Sequence, residues 1–259
     1  PDVRCKVRGF ATLLSLMPVV AIIGATGKTG RWALKGAIER ELEVRVLARS
    51  PDKLAPLLAD LGGQSEDLET SKITVVEGSV TDADKLETLM DGADVVMSFL
   101  GMTNPPEWVV SPGVEAVMGA LLSLKKAGKT PPRFLSMSSI VLGDSAEQGR
   151  RAWGCFVAWL VPKVALKACF EDMQAAEDYI LANRKAMGLS VTILRATVLK
   201  TSSFVKDYTD PVKTYKLVPV SDTAAKLSFF VEMQSVCEAF LDVATTGEYE
   251  DAEVSVFAA

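Results

Sequence analysis

The 259-residue sequence contains no histidine. That absence excludes Ser-His-Asp and Cys-His nucleophile systems, histidine-ligated zinc and histidine acid–base catalysis. Cysteine is scarce, and Cys5, Cys155, Cys169 and Cys237 include no C-x-x-C pair. No metal site and no thioredoxin-like dithiol is expected; each thiol reads as a small apolar side chain in a reduced intracellular protein. No apolar run reaches the ~18–20 residues of a membrane span. There is no long Lys/Arg run, and 28 Lys+Arg against 33 Asp+Glu leave a formal charge of −5. Neither a nucleic acid nor an anionic membrane surface is expected as the main partner.

What remains is globular in composition, 49% hydrophobic and 24% charged, at a length that suits one large domain or two small ones. The chain opens on Pro1 rather than Met, which reads as a trimmed or incomplete start. Arg4, Lys6 and Arg8 precede apolar Phe10–Met17, and no acidic residue falls between Asp2 and Glu39, as in many targeting segments. Residues 1–18 are therefore an extension of uncertain role, and 19–259 are read as one domain. The expected compartment is the cytoplasm, with organelle targeting by the extension left open.

Short β-branched runs alternate with amphipathic stretches, the pattern of a parallel sheet with crossover helices. Strands are expected at Val19–Ile23, Glu43–Ala48, Lys72–Glu77, Asp94–Leu100, Arg133–Ser138, Ser190–Arg195 and Glu253–Phe257. Helices are expected at Arg31–Arg40, after Ser50-Pro51, at Thr81–Met90, from Ser111-Pro112 to Lys126, over most of Gly149–Arg184 with a break near Pro162, and at Ser235–Ala244. Leu61–Ser71 reads as a solvated acidic loop, and Asn104-Pro105-Pro106 as a break. Trp153, Phe156 and Trp159, at i, i+3, i+6, read as core or a packing flap rather than a substrate platform.

The informative stretch is Gly24-Ala25-Thr26-Gly27-Lys28-Thr29-Gly30, between an apolar strand and a helix. The first glycine can make a tight turn, the second lets backbone approach a pyrophosphate, and the third allows close helix–strand packing. The helix amino end then offers N–H groups to the phosphates. A nucleoside-triphosphate P-loop would need glycine five positions before Gly27, where Ile22 stands. An ordinary glycine-rich turn is the remaining alternative. Where NAD sites place an acidic residue, this chain has Arg49, whose guanidinium can pair with a 2′-phosphate. Lys28 and Lys53 add positive charge if they face the same way. NADP(H) is favoured over NAD(H), and a solvated surface arginine is the competing reading of Arg49.

In order along the chain, GATGKTG, VRVLARSPDKL, ITVVEGSVTDADKL, DVVMSFLGMT, FLSMSSIVLGDS, GLSVTILRATVL and CEAFLDVATTGEYEDAEVSVF resemble motifs of the atypical short-chain dehydrogenase/reductase superfamily. The resemblance is to its NmrA-like, NAD(P)-binding branch, which includes biliverdin-IXβ/flavin reductase-type enzymes, and it covers most of the chain from Val19. It implies a Rossmann-type doubly wound α/β fold, its mostly parallel sheet flanked by helices, with a small C-terminal substrate-side region. It also implies cofactor contacts at Gly24, Ala25, Thr26, Gly27, Lys28, Thr29, Gly30 and Arg49. Ser79 and Val80 would border the adenine; Leu100, Gly101, Met102, Ser138 and Thr197 would line the nicotinamide side. Ser139 matches a serine implicated in catalysis in such reductases, although a structural strand-end serine is an equal alternative.

Two departures from the family pattern bear on chemistry. Alignment of the family's Tyr-x-x-x-Lys helix puts Cys169 and Met173 at the tyrosine and lysine positions, and Tyr179 is followed four residues on by Asn183. Ala196-Thr197 replaces the usual Pro-Gly. The resemblance therefore implies hydride transfer to a planar conjugated acceptor such as a flavin, quinone or tetrapyrrole, with the proton drawn from solvent. The alternative is a non-catalytic dinucleotide-sensing regulatory or assembly protein with a protein partner. Nucleotide-sugar epimerase or dehydratase chemistry, which generally needs the tyrosine, is disfavoured.

Overall fold

The computed structural model describes residues 18–60, 72–101, 108–200, 215–222, 225 and 227–259. Residues 1–17, the expected loop at 61–71 and the break at 104–106 lie outside them. In chain order the strands are β1 (Val19–Ile23), β2 (Glu43–Ala48), β3 (Ile73–Glu77), β4 (Val95–Ser98), β5 (Arg133–Ser139), β6 (Val191–Ala196), β7 (Val198–Lys200), β8 (Tyr215–Pro219), β9 (Phe230–Glu232) and β10 (Glu253–Ala258). The helices are α1 (Gly30–Glu39), α2 (Leu54–Asp60), α3 (Ala83–Met90), α4 (Val110–Lys126), α5 (Ala146–Trp153), α6 (Cys155–Leu160), α7 (Lys167–Met187) and α8 (Met233–Thr246).

The main sheet runs β3-β2-β1-β4-β5-β6-β10-β8, parallel except where β8 pairs antiparallel with β10. This is a doubly wound Rossmann-type sheet, whose order reverses between β1 and β4. β7 and β9 form a separate parallel pair. Strand alternation divides the core. Val20 and Ile22 face α1 and α8, joined by Trp32, Leu34 and Phe240. Ala21 and Ile23 face α3, α4 and α7, joined by Leu86, Leu121 and Ile180. Burying each such large apolar side chain contributes roughly 1.5–3 kcal/mol. α1 and α8 meet at Gly36, where a Cβ would fall 2.6 Å from Leu241 Cδ1.

The strand ends shift from the expected bounds by two residues at most, and one helix starts early for a tertiary reason. The Asp172 carboxylate on α7 accepts from the Val110 and Ser111 amides at 2.9 and 3.0 Å, so α4 begins one residue early without a local cap. The long helical stretch is broken twice, at Gly154 and by a π turn over Val161–Ala165 that contains Pro162. The short strands β7, β8 and β9 had no counterpart in the expected elements.

Candidate functional site

β1 gives way to Gly24, whose φ of +83° lies in the left-handed region. A Cβ there would also stand 3.0 Å from the Phe99 carbonyl oxygen at the end of β4. The Gly27 amide donates to the Gly24 carbonyl at 2.9 Å and closes the turn. Gly30 is the most constrained of the three: its Cβ would lie 2.2 Å from the Gly24 oxygen and 2.8 Å from the Gly24 carbonyl carbon. The helix–strand packing expected of the third glycine is thus a contact with the turn itself. α1 then begins with no side-chain cap and no acidic residue in its first turn, a helix end suited to an anion.

Register carries the other strand ends to the same edge. Ile23 pairs with Leu47, so Arg49, two residues on and exposed, leaves β2 on the edge where the turn begins. The Gly78 amide donates to the Ala48 carbonyl at 3.1 Å, placing Ser79 and Val80 next in line. The Ser79 amide is held by Asp82 Oδ2 at 2.6 Å. Val80 is buried, and it meets Leu100 over Gly113, whose Cβ would come within 2.5 Å of Leu100 Cδ1. Ser98 pairs with Ser136, so Gly101 and Ser139 stand at equal offsets beyond that pair. Met102 lies outside the described residues.

At the end of β5, Ser138 and Ser139 are both buried, and the Ser138 hydroxyl has no partner among the described residues. The Thr197 hydroxyl is engaged within the fold. It accepts from Trp153 Nε1 at 2.9 Å and donates to the Phe229 carbonyl at 2.8 Å, so the side chain ties α5 to the approach to β9.

Beyond Ser139 the chain walls a cleft of about 640 Å³ between the β5–α5 turn, α6, the π turn and the start of α7. Trp159 and Phe170 supply aromatic surface; Arg150, Lys163 and Lys167 supply positive charge against one acidic residue, Glu171. Under it, Arg195, fully buried, is gripped by Glu177 through Nε at 3.0 Å and Nη2 at 2.6 Å, and reaches Glu253 at 2.9 Å. Burial alone would lower the guanidinium pKa, but hydrogen bonds and charges from the two glutamates outweigh it and hold it above the ordinary value. Gly143, at φ +51°, makes room for this cluster: a Cβ would stand 2.8 Å from Glu177 Oε2.

A family profile described as NAD(P)H-binding matches residues 24–227. The chain belongs to that family. Among curated relatives, the reductase pytE of Aspergillus terreus is 28% identical over 138 residues, 47% of this chain and about half, 52%, of that protein. Two solved structures share the fold across nearly the whole chain. A short-chain dehydrogenase/reductase from Veillonella parvula in complex with NADP has a TM-score of 0.64 at 20% identity, covering 93% of this chain and 94% of its own. The anaerobillin reductase ChuY of Escherichia coli O157:H7 has a TM-score of 0.64 at 18% identity, covering 93% and 97%.

The glycine turn fits the family's dinucleotide, because two positions a Cβ would obstruct are glycine and the helix behind them is uncapped. The positions aligned with the tyrosine and lysine are less equipped. Burial and the Asp172 charge push the Cys169 thiol up from its ordinary pKa, and Met173 packs into the apolar core. Among the described residues no group of three or more Cys, Asp or Glu side chains is placed to hold a metal ion, and no helix is long and apolar enough to cross a membrane. Of the aromatic set, Trp153 is core, whereas Phe156 and Trp159 are exposed, contrary to expectation for those two. The sequence reading missed the cleft's cations, although Arg150, Lys163 and Lys167 lie in one stretch free of acidic residues.

Proposed function

We propose that this chain is an NADPH-dependent reductase that directs hydride to a planar conjugated acceptor seated in the cleft beyond β5. The observation that carries the reading is one shared edge: the glycine turn, Arg49 and the β5 serines end there, and the aromatic, cationic cleft begins within four residues of Ser139. When bound, NADPH supplies the hydride, and the acceptor takes its proton from water. The chain's part is placement. Main-chain amides among residues 25–30, other than that of Gly27, hold the diphosphate, and Arg49 holds the 2′-phosphate. Ser79 and Val80 border the adenine; Leu100, Gly101 and the unpartnered Ser138 hydroxyl face the nicotinamide side; Ser139 hydrogen-bonds the acceptor. Trp159 and Phe170 offer flat apolar walls. The relative named as a reductase and the solved anaerobillin reductase support the reaction class.

Purified protein mixed with NADPH and a panel of flavins, quinones and tetrapyrroles is expected to oxidise NADPH above background with at least one of them. Tight NADPH binding without oxidation by any acceptor would overturn the reductase reading in favour of a dinucleotide sensor.

Arg49→Ala is expected to weaken NADPH roughly 10–100-fold in calorimetric titration, the scale of a lost charge-assisted hydrogen bond, while NADH affinity barely moves. Equal losses for both would show that Arg49 does not read the 2′-phosphate.

A further inference from the structure

Among the described residues, six large hydrophobic side chains are exposed, and four of them fall within eleven residues: Phe156 at 69%, Trp159 at 54%, Val164 at 57% and Leu166 at 41%. Single exposed apolar residues are ordinary, but a cluster marks a surface that is covered in use. No residue from Gly154 to Ala168 is buried. Sequence composition explains why the chain cannot fold this stretch inward as one helix: Gly154 and Pro162 divide it into α6 and the π turn, too short to bury both faces.

Its charge is as distinctive as its exposure. From Gln148 to Phe170 there are four cations, Arg150, Arg151, Lys163 and Lys167, and no acidic residue, in a chain whose net charge is −5. Arg150 and Lys167 make ion pairs with Glu147 and Glu171 at the two ends, but both pairs are solvent-exposed and weak. Aromatic and aliphatic side chains flanked by lysine and arginine complement an anionic bilayer surface: rings enter the headgroup boundary and the cations meet lipid phosphates. A second copy of the chain suits the face poorly, because a two-fold contact would set this cationic rim against itself.

We propose that the segment 154–168 docks the protein on an anionic lipid surface, lying in the interface without crossing it. Cys155, Trp159, Pro162, Lys163 and Lys167 line the cleft as well. Docking therefore turns the cleft mouth toward lipid; taken with the reductase reading, on which this last step rests, it selects an acceptor dissolved in the bilayer.

The test uses the full chain and needs no turnover. Co-sedimentation is measured with vesicles of phosphatidylcholine alone and of phosphatidylcholine with phosphatidylglycerol. Binding is expected only to the anionic vesicles, with a blue shift of tryptophan fluorescence. Phe156→Ser/Trp159→Ser, and separately Lys163→Glu/Lys167→Glu, should each reduce it roughly tenfold or more while the thermal melt is unchanged. Failure of the wild type to sediment with anionic vesicles would overturn the proposal, as would binding unaffected by either double substitution. A wild-type dimer in sedimentation velocity that becomes monomeric in Phe156→Ser/Trp159→Ser would also overturn it, by showing that a second copy covers the face. Since none of these readouts involves acceptor reduction, failure of the reductase assay leaves them standing.

Discussion

Gly30→Ala is expected to lower NADPH affinity by up to about 100-fold and to lower the melting temperature as well, the scale of forced overpacking. The reason is that the new Cβ would lie 2.2 Å from a main-chain oxygen, and a backbone atom cannot rotate aside as a side chain can. The turn must open, which moves the amides of residues 25–30 together. Gly27→Ala is the informative companion. Its Cβ would stand 3.1 Å from the Gly24 oxygen, a contact met by a shift of a few tenths of an ångström, so the fold should survive. It would nevertheless place a methyl on an exposed part of the turn, where the diphosphate is expected to rest. Weakened binding with an unchanged melt in Gly27→Ala, beside losses of both kinds in Gly30→Ala, separates ligand approach from turn geometry. Unchanged NADPH affinity in Gly30→Ala would show that the turn does not carry the cofactor.

Glu177→Leu has the largest expected effect on stability. It leaves the fully buried Arg195 facing Glu253 alone, with Nη1 already lacking a partner among the described residues. Removing one member of a buried pair costs about 3–5 kcal/mol, because the other charge remains desolvated. For a chain of this size that corresponds to a melting temperature lower by on the order of 10 °C. Adding Arg195→Met should recover much of the loss, since Glu253 keeps Arg184 at 3.3 Å. A single substitution that costs under about 1 kcal/mol, or a double one no better than the single, would contradict the account of this cluster. The consequence reaches function through position. Arg195 joins β6, α7 and β10 directly beneath Gly143, and Gly143 forms part of the cleft wall.

The features legible in the sequence are those fixed by neighbours along the chain. β1 and β2 lie where their β-branched runs place them, and the first and third glycines of the turn stand at positions that reject a side chain. Features fixed by distant neighbours were not legible. The cap of α4 comes from Asp172, some sixty residues on, which no local pattern around Ser111-Pro112 can announce. β8 is a five-residue edge strand whose partner β10 arrives more than thirty residues later. The i, i+3, i+6 spacing of Trp153, Phe156 and Trp159 implies one helical face only if the helix is continuous. The break at Gly154 sends Trp153 to Thr197 in the interior and the other two outward. Likewise, the Thr197 hydroxyl is claimed by Trp153 and Phe229, neither of them adjacent in sequence.

The claim on which the rest depends is that the turn from Gly24 to Gly30 holds the diphosphate of NADP(H). A crystal structure of the protein grown with NADP tests it directly. The account predicts density for the diphosphate within hydrogen-bonding distance of main-chain amides among residues 25–30 other than that of Gly27, with the 2′-phosphate at Arg49. A dinucleotide bound elsewhere, or the turn left without one at saturating NADP, would contradict it.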